Sequence, residues 1–73
     1  MHTQEKAMTE KTTAYLSMYP DCISWELLDK NGERHRGHNA LGYYNGDYDV
    51  LLSDTVNWIL TLFPNTNFEF RKK

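Results

Sequence analysis

The chain contains very little of what small proteins use for covalent stabilisation or for crossing membranes. Only one of its 73 residues, Cys22, is a cysteine, so no disulfide can form within the chain. Secreted domains of this size usually depend on such bridges, and no apolar run here is long enough to span a bilayer. The segment Met1–Lys6 also lacks the basic and then apolar pattern of a secretory signal. These absences predict a cytoplasmic protein with no membrane partner.

The net charge of the chain is small, and its length limits the size of the core. Eight Lys and Arg residues against ten Asp and Glu residues give a formal charge of −2, too small by itself to indicate a nucleic-acid binder. A chain of this length buries only about 60–65% of its unfolded surface, which leaves no space for a large cofactor cavity. We predict one domain over residues 1–73, with 1–7 frayed, a basic tail at 71–73 and no cofactor.

The chain does contain many aromatic residues and a pattern that occurs twice. Two Trp, five Tyr and three Phe supply apolar area for a small core. Residues 8–21 resemble residues 52–65: each segment opens with helix-capping residues and closes with an aromatic residue and a proline, which cannot continue a helix. The pattern predicts helices over Thr9–Tyr19, or from Gln4, and over Ser53–Phe63. Either an internal duplication or two independent sets of helix signals would produce it.

A hairpin is predicted after the first of these segments. Cys22–Leu28 is strand-like, and the following Asn31-Gly32 favours a tight turn because both residues tolerate positive φ. A three-residue loop places Glu26 opposite Arg36, Trp25 opposite Gly37 and Leu27 opposite His35. We prefer this register because it forms a cross-strand ion pair and lets an indole cover a glycine. The inward residues are then Ile23, Trp25 and Leu27.

The remaining segments complete an α+β fold. Residues 48–52 fit either a third strand or an early start of the second helix, and the capping residues at 53–54 favour the strand. Asn67–Phe70 is the final strand. The predicted order is α-β-β-(β)-α-β, with two helices on one face of a three- or four-stranded antiparallel sheet. Such a sheet has an open edge that a protein partner or a second copy could fill.

A tyrosine-rich loop is the first candidate site. Lys and Arg are absent from Gly37 to Phe70, whereas several aspartates occur there, which favours a protein partner with a basic surface. Tyrosines on a loop rich in Gly and Asn supply amphipathic contact area at low entropic cost. The alternative is that they cap the core. The predicted partner-binding residues are Tyr43, Tyr44, Asp47, Tyr48 and Asp49.

A short basic strand is the second candidate site. Arg34, Arg36 and His38 alternate along the strand, so they point to one side and could contact phosphates. The alternative is a solvated hairpin in which the arginines pair with nearby acids. The predicted nucleic-acid-binding residues are Arg34, Arg36 and His38, together with Arg71, Lys72 and Lys73 of the tail.

The sequence offers little for catalysis or for metal binding. Cys22 and His38 are placed diagonally on the outer hairpin face, as parts of a nucleophilic site would be, but nothing supplies an oxyanion pocket. Residues 45–49 space oxygen ligands like a calcium loop, yet they lack its later glycine and terminal glutamate. We predict that the protein is not an enzyme and binds no metal, with Cys22 and His38 as the remaining catalytic candidates.

The functional prediction follows from these exclusions. The chain lacks the GXXG loop of KH domains, the aromatic strand motifs of RNA-recognition motifs and any helix-turn-helix signature. The leading hypothesis is a small stand-alone intracellular binding protein that acts stoichiometrically as an inhibitor, adaptor or regulator, as small phage or mobile-element proteins do when they block host machinery. The alternatives are a small nucleic-acid-binding protein and a subunit of a homo-oligomer.

Overall fold

The structure is a computed structural model that describes residues 12–73. This part of the chain contains four strands, one α-helix and a short 3-10 helix. The predicted α+β class is confirmed, but the described residues contain one α-helix where two were predicted. In chain order the elements are β1 (Thr12–Tyr19), β2 (Cys22–Leu28), β3 (Arg34–Ala40), the 3-10 helix (Leu41–Tyr44), α1 (Tyr48–Leu62) and β4 (Thr66–Lys72).

The segment predicted as the first helix is the strand β1 wherever the structure describes it. Its residues alternate between the two sides of the sheet, with Ala14 and Leu16 fully buried and Tyr15 exposed between them. This period of two is the strand signature, and Thr and Tyr residues favour it. The prediction was wrong because Pro20 ends a strand before a tight turn as readily as it ends a helix. The predicted part before Thr12, including the fraying of 1–7, lies outside the described residues.

The similarity between residues 8–21 and 52–65 therefore corresponds to no repeated structure over the part that can be compared. From Thr12 onward the first segment is extended, whereas the second is mostly helical. The same kinds of capping and stopping residues serve two different elements.

The hairpin of β2 and β3 has the predicted register. Glu26 is opposite Arg36, Trp25 is opposite Gly37, and Leu27 is opposite His35. Gly32 has φ of 84° in the turn, a conformation that glycine adopts without steric cost. The ion pair, however, forms with Arg34, two residues before Arg36 on the same face: the Glu26 carboxylate lies 3.3 Å from Arg34 Nε.

The helix α1 starts earlier than predicted. The prediction that favoured a strand at 48–52 was wrong, and the alternative, an early start of the helix, is confirmed. Asp47 is the N-cap residue, and its carboxylate accepts a hydrogen bond from the Val50 N–H at 3.2 Å. The helix ends before Pro64, as predicted, and its apolar stripe packs on the sheet through Leu51 and Ile59.

The sheet is mixed and not antiparallel, which corrects a second part of the fold prediction. Its strand order is β3-β2-β1-β4, and β4 runs parallel to β1. The connection through α1 carries the chain from one edge of the sheet to the other, so that β4 lies beside the first described strand. The Thr12 and Thr66 hydroxyls bond to each other at 2.9 Å where the two strands begin.

The core lies between α1 and one face of the sheet. A hydrogen bond from the Asn39 side-chain amide to the Thr55 hydroxyl, 2.8 Å long, joins β3 to the buried side of the helix. Only one face of the sheet is used in this way by the described residues. The buried hydrophobic residues are Ala14, Leu16, Ile23, Trp25, Leu27, Leu51 and Ile59.

Candidate functional site

The sheet face opposite α1 has no helix packed on it within residues 12–73. Alternation places most of the polar and amphipathic positions of the four strands on this face, which we call the open face. Cross-strand pairing forms two rows of neighbours across it. One row joins Arg36, Glu26, Tyr15 and Glu69, and the other joins His38, Ser24, Ser17 and Arg71.

A shallow cleft of about 580 Å³ lies on the open face. The two serines form part of its lining, whereas longer side chains from both edge strands reach it from either side. Its volume falls within the range of small-ligand sites, about 300–1,000 Å³, although the cleft is open to solvent. The lining residues are Tyr15, Ser17, Cys22, Ser24, Trp25, Glu26, Arg36, Gly37, His38 and Arg71.

Arg71 and Tyr15 form a stacked pair beside this cleft. The Arg71 guanidinium carbon lies 4.6 Å from the centre of the Tyr15 ring, a cation–π distance. Arg71 also contacts the Glu69 carboxylate at 3.4 Å, a long contact between half-exposed groups that holds it only weakly. The Arg71 guanidinium is therefore placed at the rim of the cleft and remains accessible. Sequence reasoning missed Tyr15 because it assigned that residue to a helix.

The predicted nucleic-acid-binding residues separate into three groups in the structure. Arg36, His38 and Arg71 come together around the cleft. Arg34 lies on the same face but pairs with Glu26. Lys72 is opposite Met18, so it lies on the face that carries α1, and Lys73 follows the end of β4 with its backbone N–H donating to the Met18 carbonyl. Two of the three predicted tail residues, Arg71 and Lys72, are part of β4.

Arg36 has the most available charge of this group. It is exposed, and it forms no ion pair with any other residue of the range 12–73. Three arginines face two glutamates on the strands of the open face, and one of those arginines is neutralised by Glu26. The open face therefore carries accessible positive charge, although the whole chain has a charge of −2.

The predicted tyrosine site is spread over separate parts of the structure. Tyr43 is almost fully exposed, at 87%. The Tyr44 hydroxyl donates a hydrogen bond of 2.6 Å to the Asp54 carboxylate. That hydrogen bond, followed by burial and the charge of Asp54, raises the pKa of Tyr44. The Tyr44 ring packs against the core, so it serves to dock the 3-10 helix on α1.

The other members of that predicted site have similar roles. The Tyr48 hydroxyl donates to the Tyr19 carbonyl at 2.8 Å, and burial, then Cys22 and Asp21, raise the pKa of Tyr48. Asp47 caps α1, and Asp49 lies exposed in the first turn of the helix. Of the five residues, Tyr43, Asp47 and Asp49 are exposed, and Asp47 is already engaged as the cap of α1.

An exposed apolar strip on α1 was not found from the sequence. Trp58 is 56% exposed and Leu62, one turn later, is 48% exposed. Trp58 shares a shallow depression with Tyr44 and Asp54. A tryptophan left this exposed is unusual, and the acidic surroundings resemble the rim of a protein-binding surface.

The catalytic candidates Cys22 and His38 both line the cleft on the open face. Partial burial, then the charge and hydrogen bonding of Asp21, raise the pKa of the Cys22 thiol. A raised pKa keeps this sulfur protonated near neutral pH, which opposes its use as a nucleophile. The described geometry therefore gives no support to thiolate chemistry here.

One cluster has the spacing of metal ligands. Donor atoms of Asp29, Glu33 and His35 lie within 4.8 Å of one another at the hairpin turn. The Asp29 carboxylate already accepts 2.9 Å bonds from the backbone N–H groups of Asn31 and Glu33, and its other oxygen bonds to His35 Nε2 at 2.9 Å. These bonds, the one to His35 first, lower the pKa of Asp29. The turn itself accounts for the cluster.

Comparisons with known proteins add no homologue from which a function could be taken. No family model, no curated protein and no solved structure matches this chain. Within residues 12–73, no helix has the length and apolar character that a transmembrane segment requires. The open face and the exposed surface of α1 are therefore the features from which a function can be inferred.

Proposed function

We propose that the protein is a small cytoplasmic binding protein that acts stoichiometrically and not as an enzyme, and that its open face binds single-stranded nucleic acid. The observation that carries this proposal is the convergence of Arg36, His38 and Arg71 with Tyr15 around one cleft. Proteins that bind single strands combine cationic grooves for the phosphates with flat groups on which bases stack. Here the cations come from the two edge strands, and the flat Tyr15 ring comes from β1, which lies between them.

The arrangement of these groups fits an extended strand better than a duplex. Arg36 and Arg71 lie on opposite sides of the cleft, separated by β2 and β1, so successive phosphates could contact each of them in turn. An arginine guanidinium also offers a plane on which an unpaired base can stack. The hydroxyls of Ser17 and Ser24 lie between the arginines and can bond to sugar or base edges.

The proposal is tested by measuring the fluorescence anisotropy of a labelled single strand of mixed sequence, as DNA and as RNA. Wild-type affinity should fall with salt, with a log–log slope of about −0.7 for each phosphate contact. Arg36→Ala and Arg71→Ala should each weaken binding and reduce the slope by about 0.7. Lys30→Ala removes the same charge from the distant hairpin turn and is the matched control.

Tyr15→Leu separates stacking from charge. It keeps an apolar residue on β1 but removes the ring under Arg71, so we expect a loss of about 1–3 kcal/mol of binding free energy with little change in the salt slope. Absence of binding at low salt, or equal affinities for Arg36→Ala and Lys30→Ala, would contradict the proposal.

A second candidate function is supported by the exposed strip on α1. Trp58, Leu62 and Tyr43 each leave apolar or aromatic area accessible, Asp54 lies beside Trp58, and the sequence from Gly37 to Phe70 contains no Lys or Arg. This combination fits a protein partner with a basic surface, as the tyrosine-loop hypothesis expected. A nuclease-treated pull-down should recover one protein with wild type and lose it with Tyr43→Ala/Trp58→Ala. Tyr15→Ala, which removes an aromatic residue from the opposite face, should retain it.

A further inference from the structure

The outer side of β4 is a free sheet edge in the described structure. The strand order makes β3 and β4 the two edges, and within residues 12–73 no strand pairs with the outer side of β4. Its backbone groups on that side need hydrogen-bond partners, from water or from another strand.

The hydrogen-bond pattern shows which residues of β4 face outwards. Lys73 donates its N–H to the Met18 carbonyl at 2.9 Å, while Met18 is in register with Lys72. In a parallel ladder, a residue bonds to the two residues that flank its partner, so Met18 bonds to Arg71 and Lys73 and not to Lys72. Inward bonds therefore come from the odd-numbered residues of β4. The residues whose N–H and C=O groups point outwards are Thr66, Phe68, Phe70 and Lys72.

The side chains along this edge also leave apolar area uncovered. Phe70 is opposite Leu16 and so lies on the face that carries α1, yet it is 51% exposed. Its ring is stacked with that of Phe68 at a centroid distance of 6.1 Å. An edge strand of seven residues, with Phe70 exposed and stacked on the half-buried Phe68, is a surface that favours strand addition.

The charges of β4 favour one way for the strand to pair with itself. In an antiparallel pair centred on Phe70, each Glu69 is opposite Arg71 of the second copy, so two ion pairs form across the interface. Phe70 meets Phe70 of the second copy, and both residues are of the outward-bonding type. Centring the pair on Glu69 or on Arg71 would instead oppose like charges, which destabilises a sheet. A shift of one strand by one residue would place the outward-bonding residues of one copy opposite the inward-bonding residues of the other, so no ladder could form.

We propose that the protein forms a symmetric dimer by antiparallel pairing of β4 with β4 of a second copy, centred on Phe70. The two four-stranded sheets become one continuous sheet. The two-fold axis is perpendicular to it, so both α1 helices lie on one side and both open faces on the other. This inference does not depend on the proposed nucleic-acid function, since it uses only the edge of β4. If both hold, the dimer brings the two open faces together into one surface.

Sedimentation velocity of the protein alone tests the dimer. Wild type should change reversibly from monomer to dimer with rising concentration. Arg71→Glu and Glu69→Arg should each weaken association about tenfold, because each opposes like charges. The double variant Glu69→Arg/Arg71→Glu restores complementarity and should return to within about threefold of wild type. A wild type that stays monomeric at the highest concentration, or a double variant no better than the single ones, would overturn the proposal.

A proline variant checks that loss of the dimer is not loss of the fold. Phe70→Pro removes an N–H that points outwards, so β4 should stay paired with β1 while the dimer is lost. Glu69→Pro removes an inward bond and should disrupt β4, as hydrogen exchange of the β1 amides would show. A dimer that survives Phe70→Pro would refute the β4 interface. Protection of the Phe70 amide that does not change with concentration would mean that another part of the same chain covers the edge, which would also refute it.

Cross-linking tests the register. Opposed Cα atoms in a hydrogen-bonded antiparallel pair are about 5.5 Å apart, within the disulfide range of about 4.4–6.8 Å. In a Cys22→Ser background, Phe70→Cys should therefore form a covalent dimer under mild oxidation, whereas Glu69→Cys should not. The reverse result would place the centre on Glu69 and contradict the proposed register.

Discussion

The indole of Trp25 lies across Gly37 of the neighbouring strand, so that a Cβ atom at Gly37 would come within 3.0–3.1 Å of three of its ring atoms. The ring is almost fully buried, and it cannot move aside without disturbing the core. This contact fixes how closely β2 and β3 approach, and it is the reason that a glycine occupies the middle of β3.

Gly37→Ala should lower the free energy of unfolding by about 1–3 kcal/mol, because the added methyl group overpacks the indole. Gly42→Ala is the matched control, since a Cβ atom there would have no neighbour within 4 Å. We expect the control to change stability by no more than about 0.5 kcal/mol. Urea denaturation measures both, and equal effects at the two positions would contradict the contact.

The hydroxyl of Thr55 should contribute more to stability than the hydroxyl of Thr61, which makes the same type of bond to a helix carbonyl. It accepts from the Asn39 amide and donates to the Leu51 carbonyl, each at 2.8 Å. Thr55→Val should cost about 1–3 kcal/mol because it leaves the Asn39 amide without its partner. Thr61 makes the same bond to the residue four positions earlier but is exposed. Thr61→Val should therefore stay within about 0.5 kcal/mol in thermal or urea unfolding.

The cap of α1 provides a third prediction. Asp47→Ala should reduce stability by about 0.5–2 kcal/mol, because the Val50 N–H loses its acceptor. Asp47→Asn should preserve most of that stability. Asp49→Ala removes a charge from the same helix turn without removing the cap, so its cost should be smaller, about 0.3–1 kcal/mol. Circular dichroism during urea unfolding checks the order, and a larger loss at Asp49 would contradict the cap assignment.

The hairpin turn predicts a dependence of stability on acid. The pKa of Asp29 is lowered in the folded protein, first by its hydrogen bond to His35, from an ordinary value of 3.8. A lowered pKa stabilises the fold above that ordinary value, and the contribution disappears as the pH falls through the folded pKa. The difference in urea midpoint between wild type and Asp29→Asn should therefore be present at neutral pH and shrink below about pH 4.

His35→Asn is the companion variant for this measurement. It removes the largest cause of the lowered pKa but leaves the two backbone hydrogen bonds of the turn. The pH-dependent part of the Asp29 effect should be smaller in this background. A difference between wild type and Asp29→Asn that is constant from neutral pH to about pH 2 would show that the pKa is not lowered.

Local chemistry explains why the hairpin was predictable. Asn31 and Gly32 restrict the turn, and the register could be chosen because it forms a cross-strand ion pair and lets an indole cover a glycine. The central part of α1 was also predictable from local signals, namely capping residues before it and a proline after it. Its start was misplaced because both Asp47 and Ser53 are capping residues, and only packing against the sheet decides between them.

The strand β1 was missed although its pattern is local, whereas its parallel pairing with β4 was beyond local reasoning. The alternation of Ala14, Leu16 and Met18 with more polar residues was present in the sequence, but the flanking helix signals obscured it. The pairing of β1 with β4 joins residues 54 positions apart, such as Thr12 and Thr66. No local pattern reports a contact at that separation.

The part of the candidate site that lies on a single strand was predictable, and the part that depends on the pairing of β1 and β4 was not. Arg36 and His38 could be placed on one side of a strand by alternation alone. Arg71 could not be brought to them, because its position depends on β4 lying beside β1. Tyr15 was missed together with β1, and the capping role of Asp47 followed from the true start of the helix.

The parallel pairing of β1 and β4 has a consequence for how the fold resists force. Tension applied between the N-terminal side of β1 and the C-terminal side of β4 would pull these neighbouring strands in opposite directions along their length. All the hydrogen bonds of the ladder would then carry the load together in shear, and none could be opened singly from one end. Tension between the two ends of the β2–β3 hairpin would instead unzip its bonds one pair after another. The fold should therefore be mechanically strong along the first direction and weak along the second.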